Sequence, residues 1–319
     1  RTWPQVLVAF SGSRRREQEE RARGRAAPDR AAAAVDSSPA SPFYGTLYVA
    51  FGEEGEDGEV APALLTYLRP GARRFTPPTA VSSLLAGFTQ VATPFTGPDG
   101  ALYIVFVARQ SAASPSGIFL VESRDGGRSF GPTHLVASFR DPVDGQLPNT
   151  SYRVPSFPVA VFDPGHNRIV VAWNDRLGGV SSLLVSMAGP LDLDDWSVPA
   201  RVTPTSSGEQ FFPAISASPA GRIDLAFYDR SLDPFNRLNF LTYAWSNDGG
   251  RTWDSLNVTP TAFDGEAQTT PGGTSFIGDY IGIASTLGAT HLAWTGNGRQ
   301  TPCACNQDIF AATVSHVRE

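Results

Sequence analysis

Short apolar segments separated by turn-forming residues run along most of the chain. Five of them are similar runs of apolar and aromatic residues: Thr46–Phe51, Ala101–Phe106, Arg168–Trp173, Arg222–Phe227 and Ala289–Trp294. Each follows another apolar stretch: Ala31–Val35, Thr89–Phe95, Ser156–Phe162, Phe211–Ala217 and Ile277–Ala284. Turns rich in Pro and Gly, such as Ser218–Gly221, lie between the two. The pattern therefore predicts five pairs of antiparallel strands.

Further strands follow several of these pairs. A third apolar segment is found at Gly117–Ser123, Asn239–Ser246 and Asp308–Val314. A fourth is predicted at His134–Phe139 and at Asn257–Pro260. The repeating unit is therefore predicted to be a sheet of four antiparallel strands.

An eight-residue motif recurs between the third and fourth strands. It is intact at Ser123–Phe130 and Ser246–Trp253, and worn copies lie at Leu68–Phe75 and Gly189–Trp196. The closing aromatic residues are spaced at intervals of roughly sixty residues, which indicates a repeat architecture. A central Asp can accept backbone N–H groups of its own turn, and the two Gly residues tolerate positive φ. We therefore interpret the motif as structural.

The repeat predicts an all-β fold, a β-propeller of four-stranded antiparallel blades, forming one domain over residues 1–319. Five blades are visible, and Trp3–Phe10 is a candidate to complete the last of them. The chain opens with Arg1–Trp3, the tail of the motif, so we expect an N-terminal truncation and a sixth blade in the intact protein. Residues 11–28 are expected to form an exposed charged insertion.

Composition excludes several classes of function. The net charge is −6 and no lysine occurs, so neither a nucleic acid partner nor a phosphate-binding loop with its lysine is expected. No apolar run reaches the length of a membrane span. Cys303 and Cys305 are expected to be a reduced pair on a loop, and the four His residues are scattered, so no metal site and no cofactor are predicted. We expect a monomer.

Strand direction indicates where a binding site would lie. The motif turns and the turns between first and second strands share one face, so the starts of first strands and the ends of second strands share the other. The starts carry Arg30, Arg153, Glu209, Gln210, Asp279 and Tyr280, and the ends carry Arg109, Asn174, Asp175, Arg176, Tyr228, Asp229, Arg230 and Arg299. Arg, Asp and Tyr side chains suit an anionic or polyhydroxylated ligand, such as a glycan.

The eight-residue motif resembles that of the BNR/Asp-box superfamily, which includes the sialidases. Tyr152–Pro155 is similar to the Phe/Tyr-Arg-Ile-Pro motif that holds the first arginine of the sialidase triad. The resemblance implies a secreted glycoside hydrolase of the exo-alpha-sialidase type that acts on terminal sugars, and the absence of lysine with abundant Ala, Gly and Pro indicates a bacterial source. The resemblance implies these roles: Arg153, Arg230 and Arg299 as a carboxylate clamp, Tyr228 or Tyr280 as nucleophile, Glu209 as its partner, and Asp229 or Asp175 as acid. From their positions at the same strand ends, Arg176, Asp279 and Gln210 are expected to be further substrate contacts.

Other interpretations of the same residues stay open. Asp–Arg neighbours at strand ends are also common as salt bridges between blades, and Tyr228 is also suited to packing. Successive side chains of a strand point to opposite faces, so Asp229 and Arg230 do not both face a channel without a bulge. The alternative function is a non-catalytic, secreted propeller that binds glycans or proteins.

Overall fold

The computed structural model describes residues 27–54, 62–81, 89–109, 116–139, 147–204, 207–267, 275–297 and 307–316. They form five antiparallel sheets that are arranged as the blades of a β-propeller, which confirms the predicted fold class. The predicted strand Trp3–Phe10, most of the charged segment 11–28, Arg299 and both cysteines lie outside these residues.

Blades 1 to 4 each contain four strands in sequence order. Blade 1 consists of β1 (Ala27–Val35), β2 (Leu47–Glu54), β3 (Leu64–Leu68) and β4 (Thr79–Ala80), and blade 2 of β5 (Thr89–Thr96), β6 (Leu102–Arg109), β7 (Ser116–Ser123) and β8 (His134–Phe139). Blade 3 consists of β9 (Val159–Asp163), β10 (Arg168–Leu177), β11 (Val180–Ala188) and β12 (Ala200–Arg201). Residues 27 and 28 belong to β1, so the expected charged insertion does not extend to residue 28.

Blade 4 consists of β13 (Gln210–Ala217), β14 (Ile223–Asp229), β15 (Leu238–Ser246) and β16 (Asp254–Asn257), and the short β17 (Phe263–Asp264) also pairs with β15. The described part of blade 5 has three strands, β18 (Gly282–Ser285), β19 (Ala289–Asn297) and β20 (Gln307–Ser315). The fourth strand of blade 4 was predicted at 257–260, but it ends at Asn257 because Asp254–Asn257 is the segment that pairs with β15.

The hydrophobic core is divided among the interfaces between neighbouring blades. Four clusters fill the interfaces from blade 1 to blade 5, and their largest buried side chains include Trp173, Tyr103, Phe106 and Phe227. The second strands of blades 3 and 4 are buried on both faces over most of their length, and every residue of β14 is buried. Burial on both faces explains why these segments are nearly continuous apolar runs.

The innermost strands carry bulges at similar positions. Register shifts occur between Asp29 and Ala32 in β1, and between Gln90 and Thr93 in β5. A third lies between Phe211 and Ala214 in β13, where Phe212 has φ of 53°. Positive φ is costly for a bulky residue. The bulges bend these strands where they line the centre of the propeller.

Within the described ranges, none of the helical segments is long and apolar enough to cross a membrane.

Candidate functional site

A pocket of about 320 Å³ lies at the centre of the propeller and is lined by the innermost strands of all five blades. Its wall includes Ala31, Thr93, Phe157, Ile215 and Ile283. Asp279 and Tyr280, just before β18, also line it. We call this the channel pocket, and the face of the propeller where the innermost strands begin is the mouth face. Both Asp279 and Tyr280 therefore lie where the sequence predicted.

Arg153 and Asp279 form an ion pair with two contacts at the mouth face. Arg153 Nη2 lies 2.5 Å from Asp279 Oδ2, and Arg153 Nε donates to Asp279 Oδ1 at 3.1 Å. The Asp279 side chain is 7% exposed, whereas that of Arg153 is 52% exposed and lies over the Phe276 ring at 5.3 Å. The pair joins the segment that precedes blade 3 to the segment that precedes blade 5.

Tyr280 presents an aromatic surface at the same face. The residue is 58% exposed, and its ring stacks on that of Phe157, with 6.0 Å between centroids. A partly exposed aromatic ring beside a pocket is a common contact for the apolar face of a ligand.

A larger cleft of about 1060 Å³ opens next to the channel pocket. We call it the outer cleft, and it is lined by Asn149, Thr150, Ser151, Asp233, Phe235, Arg237, Leu238, Asp264 and Glu266. Ser151 of the cleft is two residues from Arg153, which contacts Asp279 of the channel pocket. The outer cleft combines three carboxylates, one guanidinium and the ring of Phe235, which is 80% exposed.

Glu266 is held in the outer cleft by serine donors. Its Oε1 accepts a hydrogen bond from the Ser151 backbone N at 2.6 Å, and its Oε2 accepts one from Ser151 Oγ at 2.5 Å. Ser275 Oγ lies 3.4 Å from Oε2. Glu266 lies in a single 3-10 turn, Gly265–Ala267, whose Gly265 abuts the Tyr152 ring so closely that an added Cβ would clash with it. The Glu266 carboxylate is therefore oriented by Ser151, and its turn is held by the contact of Gly265 with the Tyr152 ring.

Asp264 and Asp233 complete the acidic lining. Asp264 Oδ2 pairs with Arg237 Nη2 at 2.5 Å, with 23% and 55% of the two side chains exposed. Asp233 accepts backbone N–H bonds from Phe235, Arg237 and Leu238. Burial raises the pKa of Asp233, but these hydrogen bonds outweigh it, so the pKa is lowered overall and the group stays ionised.

Arg230 lies in the interior behind the outer cleft, although it was predicted at the mouth. It is completely buried, and its guanidinium donates to Asn239 Oδ1, to the carbonyl oxygens of Pro148 and Asn236, and to the Tyr152 hydroxyl. It also lies over the ring of Phe211, at 5.5 Å. All three guanidinium nitrogens are thus engaged with protein groups, so Arg230 positions loops and does not face a ligand.

Tyr228 packs between blades 4 and 5. Its ring contacts Phe211, Phe212 and Phe263, and its hydroxyl donates to the Thr295 carbonyl at 2.8 Å and accepts from the Thr295 N–H at 3.1 Å. Burial raises the pKa of Tyr228 well above its ordinary value. These contacts give Tyr228 a packing role, and of the two predicted nucleophiles only Tyr280 is exposed.

Hydrogen bonds of Glu209 and Gln210 connect blade 4 to blade 3, whereas those of Asp229 lie within blade 4. Glu209 Oε2 accepts from the Ser181 N–H at 2.6 Å, and Gln210 Oε1 accepts from the Leu183 N–H at 3.3 Å. Asp229 accepts hydrogen bonds from Gln210 Nε2, from Thr242 Oγ1 and from the Ser231 N–H. All three residues are buried, and none lines the channel pocket or the outer cleft.

Asp175 and Arg176 lie at the end of β10, also away from both depressions. The Arg176 backbone N–H donates to Asp175 Oδ1 at 2.7 Å, and Asp175 is 7% exposed. Of the residues predicted for the site, Arg153, Asp279 and Tyr280 lie together at the mouth face, and Gln210 and Asp229 lie together beside a separate pocket of about 450 Å³.

The outer-cleft residues were missed by the sequence argument. Asp233, Phe235 and Arg237 lie in the loop between the second and third strands of blade 4. Asp264 ends β17, and Glu266 lies in the 3-10 turn that follows it. The close spacing of Asp264 and Glu266 in the sequence could have indicated a pair of carboxylates, but neither residue lies at the start of a first strand or the end of a second strand. Long loops on a rigid scaffold commonly hold binding residues.

The eight-residue motif forms the same turn twice, on the face opposite the mouth. Asp125 accepts hydrogen bonds from Ser123 Oγ, from the N–H groups of Arg128 and Ser129, and from Ser129 Oγ, and Asp248 makes the equivalent bonds. Partial burial raises the pKa of Asp125, but these bonds outweigh it and lower the pKa to about 2. The closing aromatics Phe130 and Trp253 pack against the clusters between blades. The predicted structural role of this turn is consistent with these contacts.

Among the described residues, no group of three or more His, Cys, Asp or Glu side chains is placed to hold a metal ion.

Comparison with known proteins relates the chain to other propellers through its structure. No family model and no curated protein sequence matches it. The GH93 alpha-L-arabinofuranosidase of Fusarium graminearum, solved with arabinobiose, superposes with a TM-score of 0.56 at 13% identity, covering 90% of this chain and 93% of that one.

Two further structures are similar to a comparable degree. The intramolecular trans-sialidase of Ruminococcus gnavus, solved with oseltamivir carboxylate, has a TM-score of 0.52 at 10% identity, covering 90% and 85% of the two chains. A protein of unknown function from Dyadobacter fermentans has a TM-score of 0.55 at 14% identity, covering 92% and 80%. At such identities the likeness establishes the shared β-propeller fold.

Proposed function

We propose that this chain is a glycoside hydrolase of the β-propeller type that binds terminal sugars of a glycan at the mouth face. The observation that carries the proposal is the outer cleft, where three carboxylates and an exposed aromatic ring surround about 1060 Å³ beside the channel pocket. Carboxylates accept sugar hydroxyls, and aromatic rings pack on sugar faces. The related propeller folds include proteins named arabinofuranosidase and trans-sialidase, which supports this class of substrate.

Glu266 and Asp264 are our candidates for the carboxylate pair on which most glycosidases depend. Both line the outer cleft, and Asp264 Oδ1 accepts the Glu266 backbone N–H at 3.0 Å, so one turn fixes both residues. Glu266 is oriented by Ser151, and Asp264 by Arg237. Carboxylates held by neighbouring donors keep one geometry, which acid–base chemistry requires.

The sialidase form of the proposal rests on Arg153. This guanidinium lies at the mouth face, is half-exposed, and belongs to the Tyr152–Pro155 motif. In this form Tyr280 is the candidate nucleophile, because Tyr228 is enclosed in the core. Arg230 is buried, and Arg299 lies outside the described residues, so Arg153 is the one member of the predicted clamp that is described at the mouth.

The alternative is a non-catalytic propeller that binds glycans or proteins through the same face. It is favoured by one observation, namely that Glu209 and Tyr228 are enclosed at blade interfaces, while Asp229 lines a separate pocket of about 450 Å³. In either form we propose export to the extracellular space, where glycans are found, and a monomer. Fractionation of the producing cell and light scattering of the purified chain test these two proposals.

The deciding experiment measures hydrolysis of 4-methylumbelliferyl α-L-arabinofuranoside, β-D-galactoside and α-sialoside, together with glycan-array binding. We expect turnover of at least one substrate, with a loss of about a hundredfold or more in Glu266→Gln and Asp264→Asn. Asp195→Asn, on the face of the motif turns, is the matched control and should retain activity. Binding without turnover supports the non-catalytic alternative, and the absence of both contradicts the proposal.

A further inference from the structure

We infer that the sugar bound at the mouth face is electrically neutral, so that acidic sugars such as sialate or uronate are disfavoured ligands. This inference rests on the proposed function, assigns its substrate class, and disfavours the sialidase form of that function. It comes from the charges of the described residues that line the outer cleft and the channel pocket.

Carboxylates outnumber guanidiniums at this face. Asp233, Asp264 and Glu266 line the outer cleft, and Asp279 lines the channel pocket. Three described cations lie among or against these residues: Arg237 in the cleft lining, Arg153 in contact with Asp279, and the buried Arg230, whose charge acts on Asp233. The four carboxylates and three guanidiniums sum to a net charge of about −1. A ligand that brings another negative charge meets a repulsive field in a partly desolvated site.

The guanidiniums of Arg237 and Arg153 already have carboxylate partners. Arg237 pairs with Asp264 at 2.5 Å, and Arg153 makes two contacts with Asp279. Capture of a ligand carboxylate would require one of these pairs to open or to accept a third charge. Opening the Arg153 pair would leave Asp279, whose side chain is 7% exposed, as an uncompensated buried charge.

Arg230, the third arginine of this region, has protein groups as its hydrogen-bond partners. Arg230 is completely buried, and its donors are directed at Asn239, Pro148 and Tyr152. Arg230 therefore supports the wall of the cleft and donates no hydrogen bond to the ligand. A clamp of convergent guanidiniums is not formed by the described arginines.

A neutral sugar finds suitable partners at the same face. Its hydroxyls donate to the carboxylate oxygens of Glu266 and Asp264, because an ionised carboxylate accepts hydrogen bonds and donates none. Its apolar ring faces pack on Phe235, which is 80% exposed, or on Tyr280, which is 58% exposed. Hydrogen bonds from neutral donors to charged acceptors are stronger than those between neutral groups.

The test compares oligosaccharides that differ mainly in charge. Galactotriose is compared with trigalacturonate, and the methyl ester of 3'-sialyllactose with 3'-sialyllactose itself, by isothermal titration calorimetry in low and in high salt. We expect the neutral member to bind at least tenfold more tightly in low salt. The difference should shrink in high salt, where repulsion between exposed charges is screened.

Two variants identify which side chain makes the protein bind neutral oligosaccharides more tightly than acidic ones. Glu266→Gln keeps the shape of the side chain but removes one charge, so the difference between acidic and neutral ligands should narrow by several-fold. Asp195→Asn, on the opposite face, should leave it unchanged. Tighter binding of the acidic members, or a difference that does not respond to Glu266→Gln, overturns this inference alone. Binding of no member of the panel overturns the proposed function as well.

Discussion

The guanidinium of Arg230 donates a hydrogen bond to the hydroxyl of Tyr152, and both residues are almost completely buried. The guanidinium also lies over the Tyr152 ring at 5.8 Å. Since Tyr152 stands between Ser151 and Arg153, this contact sets the position of both neighbours. Ser151 holds Glu266 and Arg153 holds Asp279. A single buried pair thus supports both depressions of the mouth face.

Replacement of Arg230 by Met should reduce the free energy of unfolding by about 3 kcal/mol, since buried acceptors lose a charged donor. Tyr152→Phe removes only the hydroxyl and should cost about 2 kcal/mol. Urea denaturation monitored by tryptophan fluorescence measures both changes.

Hydrogen–deuterium exchange separates a local from a global effect of these two variants. Faster exchange should be confined to residues 147–153 and 230–239 under native conditions, where the lost bonds lie. Uniformly faster exchange over all blades would show that the pair has no specific role in positioning the segment.

Phe235→Ala should separate binding from stability. The side chain is 80% exposed at the outer cleft, so its removal should change the free energy of unfolding by less than about 0.5 kcal/mol. Loss of its contact with a sugar should weaken glycan binding by about tenfold. Leu191→Ala, at an apolar residue that is 90% exposed in the turn after β11, is the control and should leave binding unchanged. Equal binding by Phe235→Ala and the parent would remove Phe235 from the site.

The motif turns should make stability depend on acid pH. The folded pKa values of Asp125 and Asp248 are about 2, below the ordinary value of 3.8. A depressed folded pKa stabilises the fold above the unfolded pKa, and this contribution is lost as the pH falls from about 4 to about 2. Since the turns are partly exposed to solvent, we expect each Asp to contribute about 1 kcal/mol.

Asp125→Asn and Asp248→Asn check this assignment. Each variant should be less stable than the parent at pH 7, and this difference in stability should narrow below about pH 4 and close below about pH 2 when measured by urea denaturation. A difference that is independent of pH would mean that ionisation of these carboxylates does not matter. Sugar binding at the opposite face should be unaffected in both variants.

Gly208→Ala should strongly destabilise the link between the loop before β13 and the end of β14. Gly208 has φ of 79°, and an added Cβ would lie within 2.5 Å of the backbone of Arg230 and Ser231. Backbone cannot move aside as a flexible side chain can, so we expect a cost of at least about 2 kcal/mol. Gly178→Ala, where φ is 66° but no atom lies within 4 Å, isolates the cost of the dihedral alone.

The fold could be predicted closely because its determinants are local. Strand segments, such as Gly117–Ser123 and Arg168–Trp173, contain their own apolar patterns, and the motif turns contain their own hydrogen-bond partners. Each element therefore appears in a short stretch of sequence. The fourth strand of blade 4 was misplaced because its four residues are all exposed and have no apolar pattern.

The site could be predicted only in part because its contacts are distant in sequence. Asp279 and Tyr280 were found from strand direction, whereas Arg230 and Tyr228 were placed at the mouth although both are buried. Their burial depends on Tyr152 and Thr295, which are far away along the chain. Glu266 was missed for the same reason, since its partner Ser151 belongs to another blade connection.

The most direct test of the central claim is a crystal structure of the chain soaked with the tightest-binding neutral oligosaccharide. We predict ordered sugar density in the outer cleft, with a ring packed on Phe235 and a hydroxyl within hydrogen-bond distance of Glu266. Sugar bound only on the face of the motif turns, or an empty mouth face at saturating concentration, would contradict the account.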